Sequence, residues 1–318
     1  MQKIHIEPNT VQETLVIPLF GRKLCAEQFP DLFYDKKAIE LIDRLDYDVS
    51  SLEETAKKSL YRFGALEVAM RENDLAFEVK NYLDDHPDAA VVNLGCGLGQ
   101  TAEFCDNGRC RIYNLDLPDV IAARDQLLPG TDRIKNIAAD LNDVSCFSEI
   151  DASRGVIFIA AGVFYYFRRD EIEKLFPQIA EHFRGGRLVF DTAGRKAVKL
   201  MLKTWVKQAG IKDVGAFFHV DDLEKDFAFM PKGAKVSARG YMLGYNDLKD
   251  PSVSGFFRFL SKVCDGRLSL FFTSAEAAFL SLHSLIIRPE LPLLRRPLLC
   301  SDRRSPCLHR QRWRSDLL

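Results

Sequence analysis

The chain has 318 residues, 47% of them hydrophobic, and a formal net charge of −1, as in an ordinary soluble protein. The balance of 44 basic and 45 acidic residues argues against nucleic-acid binding, and the absence of any run of 18 apolar residues argues against a membrane span. Eight scattered cysteines without CxxC spacing do not predict a metal site. We expect reduced thiols and a cytoplasmic location, since the N-terminus lacks the apolar core of a signal peptide.

The first part of the chain, residues 1–88, is predicted to be mostly helical. Thr14–Phe20 is short and apolar, Lys36–Leu45 carries apolar residues at helical spacing, and Leu66–Leu83 has the pattern of a longer helix. The segment Asp84-Asp85-His86-Pro87 closes this last helix, because proline cannot continue it. These residues are therefore expected to form a helical unit ahead of the first strong strand signal.

An apolar run from Ala89 to Leu94 predicts a buried parallel strand, which ends in three glycines, Gly95, Gly97 and Gly99. Glycine permits positive φ, and it lets a ligand lie directly against the backbone. A helix over Gln100–Cys105 is expected next, with its free N–H groups facing a ligand above the glycines. This order is typical of a nucleotide-cofactor site, although an ordinary tight strand-to-helix turn has the same pattern.

The next strand, Arg111–Asp116, ends in an acidic residue about 20 residues after the glycines. A parallel neighbour would place Asp116 beside the glycine turn, where its carboxylate could accept hydrogen bonds from two ribose hydroxyls. Asp116 could instead be a cap or turn residue before Pro118. Together the glycines and the acid indicate a ribose-containing cofactor, and they leave NAD and S-adenosylmethionine both open.

Two further strands lead into residues suited to the same edge of a sheet. Ile134–Ala139 precedes Asp140, which could reach an adenine amino group, with Leu141 against the ring. Gly155–Ala161 precedes an aromatic segment at the edge where open α/β sheets bind ligands. Within it, Tyr165 and Tyr166 are of interest because a buried tyrosine hydroxyl needs a partner. The alternatives are a polar loop for the first segment and core packing for the second.

Strands and helices alternate from residue 89 onward, which predicts a mainly parallel sheet with helices on both faces. A fifth strand, Arg187–Asp191, follows a Gly-Gly turn and places Asp191 at the same edge as the glycines. Crossover helices are expected near residues 100–105, 119–127, 142–150 and 170–183. The later expected elements are a helix over Lys196–Gln208, a strand over Lys235–Met242 and a helix over Gly255–Cys264.

Five stretches resemble the motifs of class I S-adenosylmethionine-dependent methyltransferases: Glu13–Leu19, Val91–Gly99, Tyr113–Pro118, Ala160–Phe167 and Phe183–Asp191. The most similar group is the leucine carboxyl methyltransferase-like set, which includes bacterial polyketide O-methyltransferases. The resemblance covers residues 10–267. It implies a Rossmann-like α/β fold with S-adenosylmethionine as cofactor, and it makes an NAD-dependent dehydrogenase a minor alternative.

The resemblance also implies that residues 1–88 form a lid over the cofactor and part of the substrate pocket, and that residues 89–267 bind the cofactor. Arg71 matches a family arginine that pairs with the carboxylate of the methionine part, and a guanidinium suits that partner. The alternative is a solvated helix arginine. The expected cofactor-binding residues are Arg71, Gly95, Cys96, Gly97, Gly99, Asp116, Leu117, Asp140, Leu141 and Ala160.

Four positions depart from the family pattern. Gly99 lies where the group often carries an acidic residue, Phe104 lies where it often carries arginine, and Asn114 replaces a common aspartate. Ala161 lies where carboxyl-methylating members have glutamate. This last departure bears on the type of substrate more than on cofactor binding.

The expected function is O-methylation of a small-molecule acceptor. A phenol or hydroxyl acceptor needs a base, whereas a carboxylate is already ionised at neutral pH. Tyr166, His219 and Asp191 are the catalytic candidates, none of them with a firm role. Two alternatives are methylation of a protein C-terminal carboxyl group, and a catalytically silent protein that binds S-adenosylmethionine or a nucleotide. The sequence does not indicate an oligomeric state.

The C-terminal tail, residues 268–318, differs from the rest of the chain. No lysine follows Lys262, and eight arginines with four acids give the tail a charge of +4 against −5 for residues 1–267. We expect a tail that arose by an altered reading frame or a fusion, with poor packing from Arg288 onward and a weak last strand. A membrane-surface or nucleic-acid arm is the functional alternative.

Overall fold

The computed structural model describes residues 3–6, 13–33, 35–201, 217–240, 248, 251–264 and 282–289. Its N-terminal part is helical, as expected, apart from two short strands that pair in parallel. In chain order the elements are β1 (Ile4–His5), α1 (Glu13–Gln28), α2 (Lys36–Asp43), β2 (Leu45–Asp46), α3 (Ser50–Ala56) and α4 (Ser59–Asp85). No helix among these residues, or in the other parts described, is both long and apolar enough to cross a membrane.

Local signals and packing explain the helical unit. Asp35 caps α2 by accepting a hydrogen bond from the Ala38 N–H at 2.8 Å, and the apolar face of α2 is buried. Val16 and Leu19 of α1 pack with that face in one apolar cluster, which also contains Leu98 of the glycine loop. The helical unit is therefore seated directly on the loop that follows the first long strand.

Within the described residues, seven strands form the main sheet, in the order β5-β4-β3-β6-β7-β9-β8. The strands are β3 (Ala90–Leu94), β4 (Arg111–Asp116), β5 (Ile134–Ala138), β6 (Val156–Ala160), β7 (Arg187–Ala193), β8 (Ala234–Gly240) and β9 (Leu282–Pro289). The first five run parallel, and β9 lies antiparallel between β7 and β8. This arrangement confirms the predicted α/β fold with a mainly parallel sheet.

Both faces of the sheet are covered. All five residues of β3 and all five of β6 are buried, as in central strands of a parallel sheet with helices on each side. Val79 of α4 packs with Val91, Ile157 and Val189 on one face. The other face holds a cluster that includes Phe158, and in it Phe164 makes edge-to-face contacts with Phe176 and Phe190.

The remaining helices are α5 (Pro118–Leu127), α6 (Arg169–His182), α7 (Arg195–Met201), α8 (Leu223–Asp226) and α9 (Gly255–Cys264), with 3-10 helices at Glu103–Cys105, Val144–Glu149 and Phe164–Tyr166. Two expected α-helices, 100–105 and 142–150, are therefore wrong in type. The first begins only at Glu103, and it ends at the expected Cys105, after which Asp106 and Asn107 accept hydrogen bonds from the N–H groups of Gly108 and Arg109 and make a turn. The glycine turn consequently has no α-helix N-terminus behind it.

Later expectations fall partly outside the described residues. The helix expected over 196–208 is described as far as Met201, and the strand expected over 235–242 as far as Gly240. Most of the tail, residues 268–318, also lies outside them. The exception is β9. It pairs with residues Leu188–Ala193 of β7 on one side and with the whole of β8 on the other. The origin proposed for the tail stays a prediction.

Candidate functional site

The candidate site lies at the carboxyl ends of β3, β4, β6 and β7. The chain leaves β3 toward β4 on one side, whereas β6 lies on the other side of β3, so the strand order reverses between β3 and β6. Open α/β sheets bind ligands in the crevice at such a point. The expected residues Gly95, Gly97 and Asp116 lie at or just after these strand ends, and Asp191 lies two residues before the end of β7.

The glycine loop requires glycine at two positions. Gly95 has φ 59° and Gly97 has φ 49°, both in the left-handed region. A Cβ added at Gly95 would lie 2.5 Å from Val163 Cγ2, and one added at Gly97 would lie 3.0 Å from Leu15 Cδ2 on α1. At Gly99 an added Cβ would lie 3.0 Å from the Cys96 carbonyl oxygen. The loop is thus a cradle in which side chains have no room, and this fits close approach of a cofactor.

Asp116 is bonded to this loop. Its Oδ2 accepts from the Gly97 N–H at 2.7 Å, and its Oδ1 accepts from the Leu117 N–H at 2.8 Å. Burial raises the pKa of Asp116, while these two N–H groups and Arg124 act in the opposite direction. Because a carboxylate oxygen accepts more than one hydrogen bond, each can still accept from a ribose hydroxyl. The geometry fits the expected role of Asp116.

Arg124 is a residue of this site that the sequence reasoning missed. It is fully buried, and its Nη1 donates to the carbonyl oxygens of Gly97 at 2.9 Å and Gly99 at 2.7 Å. Its Nη2 pairs with Glu103 Oε1 at 2.5 Å, which offsets the cost of burying the charge. The sequence held one sign of this buried role, because Arg124 lies on the apolar face of α5. The other buried residues of that helix include Val120, Ile121, Ala123 and Leu127.

Three of the positions that depart from the family pattern lie in different surroundings. Asn114 donates through Nδ2 to Glu103 Oε1 at 2.9 Å and to Asn136 Oδ1 at 3.2 Å, so its amide bridges two acceptors that an aspartate could not serve. Phe104 is 44% exposed on the 3-10 helix. Ala161 lies half-buried just after β6.

A second group of residues meets at the ends of β6 and β7. Asp191 accepts from the Gly162 N–H at 2.6 Å and pairs with Arg71 Nη1 of α4 at 3.3 Å. Gly162 has φ 70°, and a Cβ added there would lie 2.8 Å from Arg71 Nη1. Arg71 thus reaches the edge of the sheet where the resemblance implied it would act. Asp191 thus joins α4 to β6 and β7, with one partner on each of its oxygens.

Tyr166 lies beside the pair formed by Arg71 and Asp191. Burial of the hydroxyl raises the pKa of Tyr166, an effect that Arg71 opposes, although the residue as a whole is 40% exposed. Its hydroxyl is therefore protonated near neutral pH and can donate a hydrogen bond. This makes Tyr166 suited to hold an acceptor molecule and unsuited to act as a base.

His219 is placed at the same end of the sheet, because the Phe217 N–H bonds to the Tyr165 carbonyl and the Val220 N–H to the Ala193 carbonyl. The Nδ1 of His219 lies 3.0 Å from the Phe217 carbonyl oxygen, and its Nε2 lies 3.0 Å from the Arg195 Nε–H. A carbonyl can only accept, so the neutral ring carries its proton on Nδ1 and accepts on Nε2. Neither nitrogen is left to take a proton from a substrate, and the geometry does not support the base role considered for His219.

The remaining expected residues differ in how they face the site. The Cys96 thiol is buried, and burial raises its pKa. Ala160 and Leu141 are buried in the core. Asp140 is exposed and accepts from the backbone N–H of Asn142 at 2.9 Å. Of these four, the Asp140 side chain is the one open to a ligand.

A buried charge cluster lies behind Arg71. Glu72 of α4 is 6% exposed, and Arg22, Arg71, Asp35 and Asp191 are the charged groups that act on it. Burial raises its pKa above the ordinary value of 4.5, although the two arginines lower it. Arg22 lies 3.5 Å from Asp35 and donates through Nη2 to the Leu98 carbonyl at 2.9 Å. The cluster therefore connects α1, α2 and α4 with the glycine loop.

The raised pKa of Glu72 predicts a pH dependence of stability. Between its ordinary pKa and the raised value in the folded protein, unfolding releases a proton, so the free energy of unfolding falls as the pH rises. Glu72→Gln should flatten this slope, because glutamine does not titrate. Urea unfolding between about pH 5 and pH 8 measures the effect. The exposed Glu181→Gln is the control, and an equal change in slope for both variants would contradict the assignment.

Comparison with known proteins agrees with this geometry. Residues 21–180, half of the chain, match the family model described as leucine carboxyl methyltransferase. The tetracenomycin polyketide synthesis O-methyltransferase TcmP of Streptomyces glaucescens is 31% identical over 182 residues, which are 57% of this chain and 65% of TcmP. The S-adenosyl-L-methionine-dependent methyltransferase dpfgK of Gibberella zeae is 26% identical over 248 residues, 73% of this chain and 82% of dpfgK.

Solved structures support the fold. A putative methyltransferase from Thermobifida fusca aligns with a TM-score of 0.51 at 15% identity, over 78% of this chain and 90% of that one. A DUF574 family protein from Streptomyces avermitilis also has a TM-score of 0.51, at 9% identity, over 78% and 92% of the two chains. The family match, the strand order and the glycine cradle agree with one another. The chain therefore belongs to the leucine carboxyl methyltransferase family.

Proposed function

We propose that the protein transfers a methyl group from S-adenosylmethionine to an oxygen atom of a small molecule. The observation that carries this proposal is the 31% identity to a polyketide O-methyltransferase. Because the match spans 65% of that relative, its substrate is a guide to chemical class only. Ala161, where carboxyl-methylating members have glutamate, also favours a small-molecule acceptor.

The glycine loop is proposed to receive the nucleoside part of the cofactor, with the ribose hydroxyls on Asp116 and the adenine near Asp140. Arg71 is proposed to bind the carboxylate of the methionine part, sharing its guanidinium with Asp191. When bound, the cofactor supplies a methyl group that its sulfonium already activates. The residues of the chain then have to hold the acceptor oxygen in line with that methyl group and to exclude water.

The acceptor oxygen is proposed to be one that ionises without help from the enzyme. Among the described residues of the site, Asp191 is tied to Arg71 and Gly162, His219 is bonded at both nitrogens, and Tyr166 keeps its proton. A carboxylate is ionised at neutral pH, and a phenol acidified by a neighbouring carbonyl loses its proton readily. Tyr166 would donate a hydrogen bond that orients such an acceptor.

The test is transfer of tritiated methyl groups from S-adenosylmethionine into a bacterial extract, separated into small-molecule and protein fractions. We expect the label in the small-molecule fraction. Alkali then distinguishes the products, because methyl esters release volatile methanol whereas aryl methyl ethers do not. Label confined to the protein fraction and released by alkali would instead favour methylation of a protein carboxyl group, the alternative that the family description suggests.

A silent binding protein is the alternative from another class. Thermal-shift assays with S-adenosylmethionine, S-adenosylhomocysteine and NAD address it together with the transfer assay. Stabilisation by the first two compounds without label in either fraction would contradict the proposed enzyme activity.

A further inference from the structure

The three successive carbonyl groups of the glycine loop are all bound by buried guanidinium groups. Arg124 of α5 donates to the oxygens of Gly97 and Gly99, and Arg22 of α1 donates to the oxygen of Leu98 between them. Arg124 is 0% exposed and Arg22 is 3% exposed. Two buried cations from two different helices thus bind the carbonyl groups of the same three residues.

Each arginine has a counter-charge that makes its burial tolerable. Arg124 pairs with Glu103, and Arg22 lies 3.5 Å from Asp35, which is itself 2% exposed. Burying an ion pair costs desolvation energy that its own attraction barely offsets, so such pairs contribute little net stability. A role in fixing the geometry of the loop accounts for this cost better than a role in stability.

The contacts leave the loop little freedom. A peptide group is planar, so fixing the carbonyl of one residue also fixes the direction of the next residue's N–H. The Gly97 N–H is itself held by Asp116, and the Gly99 N–H donates to the Cys96 carbonyl at 2.8 Å. The orientation of every peptide group from Gly97 to Gly99 is therefore set before a ligand arrives. Side chains provide this order in a loop that has no α-helix behind it.

We infer that Arg22 and Arg124 are positioning residues of the cofactor site, which fix the backbone of Gly97–Gly99 in the shape that receives S-adenosylmethionine. This inference rests on the proposed placement of the cofactor on the glycine loop. Since Arg22 belongs to α1, it also couples the N-terminal helical unit to the loop. Cofactor binding should accordingly protect α1, and α1 should in turn strengthen cofactor binding, because such coupling is reciprocal.

Calorimetric titration of the full chain with S-adenosylhomocysteine tests the inference without the need for an acceptor. Arg22→Gln and Arg124→Lys should each weaken the affinity by about tenfold, the worth of a hydrogen bond to a charged group. Arg187→Gln is the matched control. Arg187 is a mostly buried arginine paired with Glu78 at 3.4 Å, at the start of β7 and so at the far end of the sheet from the loop.

Amide hydrogen exchange gives a second measurement. In the wild type, S-adenosylhomocysteine should slow exchange in α1, and Arg22→Gln should remove this protection while Arg187→Gln retains it. Folding of each variant is checked by its urea midpoint. Should Arg124→Lys fail to fold, Arg22→Gln still decides the question for the loop.

Unchanged affinity in folded Arg22→Gln and Arg124→Lys would overturn the inference, and so would an equal loss in Arg187→Gln. Failure of the proposed function has a different signature. In that case the wild type binds S-adenosylhomocysteine but methylates nothing in the small-molecule fraction. If the cofactor does not bind at the glycine loop, the wild type and Gly97→Val should bind S-adenosylhomocysteine equally well.

Discussion

Gly97→Val should abolish binding of S-adenosylmethionine while the sheet still unfolds cooperatively. Gly97 has φ 49°, and its added Cβ would lie 3.0 Å from Leu15 Cδ2, so the two further methyl groups of valine would fill the cradle or displace α1. The left-handed conformation adds a local strain of about 1–2 kcal/mol, which a domain of this size tolerates. Calorimetric titration measures binding, and urea unfolding measures the fold.

Gly108→Val is the matched control for this substitution. Gly108 also has positive φ, at 79°, but an added Cβ there would meet no atom within 4 Å. Both variants therefore carry the same kind of backbone strain, and only one of them blocks the cradle. Full affinity in Gly97→Val, or an equal loss in Gly108→Val, would refute the placement of the cofactor on the loop.

The strands were predictable because central strands of a parallel sheet bear a strong local signal. β4 covers the expected Arg111–Asp116, and β3 and β6 lie within one residue of their expected ends. These strands are buried on both faces, so they appear in the sequence as continuous apolar runs bounded by turn residues. α9 likewise covers the expected Gly255–Cys264, since its apolar residues recur at helical spacing.

Two of the N-terminal helices, α1 and α4, are longer than the segments predicted for them, whereas α2 ends two residues before its predicted end. α1 extends from Glu13 to Gln28, well beyond the short apolar stretch Thr14–Phe20, although Pro18 and Gly21 both disfavour helix interiors. Burial of Val16, Leu19 and Phe20 outweighs these propensities. At Gly21 an added Cβ would only touch α4, at 3.8 Å from the Ala65 Cα. Tertiary packing of this kind is not visible in a local pattern.

Some contacts of the site could be predicted from neighbouring strands in the sequence, whereas others join residues far apart in the chain. The bond between Gly97 and Asp116 was foreseeable, because adjacent parallel strands bring their ends together. The roles of Arg22 and Arg124 were not foreseeable, since Arg22 lies 76 residues from Leu98 and Arg124 lies 25 residues from Gly99. Only the folded chain shows that these buried cations meet one loop. The partners of His219 became visible for the same reason.

Asp116→Ala is expected to weaken binding of S-adenosylmethionine by about 1.5–3 kcal/mol, the worth of hydrogen bonds to a charged group. In affinity this is about tenfold to a hundredfold. The substitution removes the acceptor for the ribose hydroxyls and also releases the Gly97 N–H, which Asp116 Oδ2 holds at 2.7 Å. Asp116→Asn should recover only part of the loss, because its amide nitrogen would face one of the two N–H groups that the carboxylate now accepts from.

Asp119→Ala is the control, since Asp119 is an exposed carboxylate three residues away in the first turn of α5. It should leave the affinity nearly unchanged. The pH profile adds a second criterion: burial raises the pKa of Asp116, so in the wild type affinity should fall as the pH drops through that raised pKa. Asp116→Ala should lose this dependence. A loss below about 0.5 kcal/mol for the alanine variant, smaller than a single net hydrogen bond, would mean that Asp116 serves only the turn.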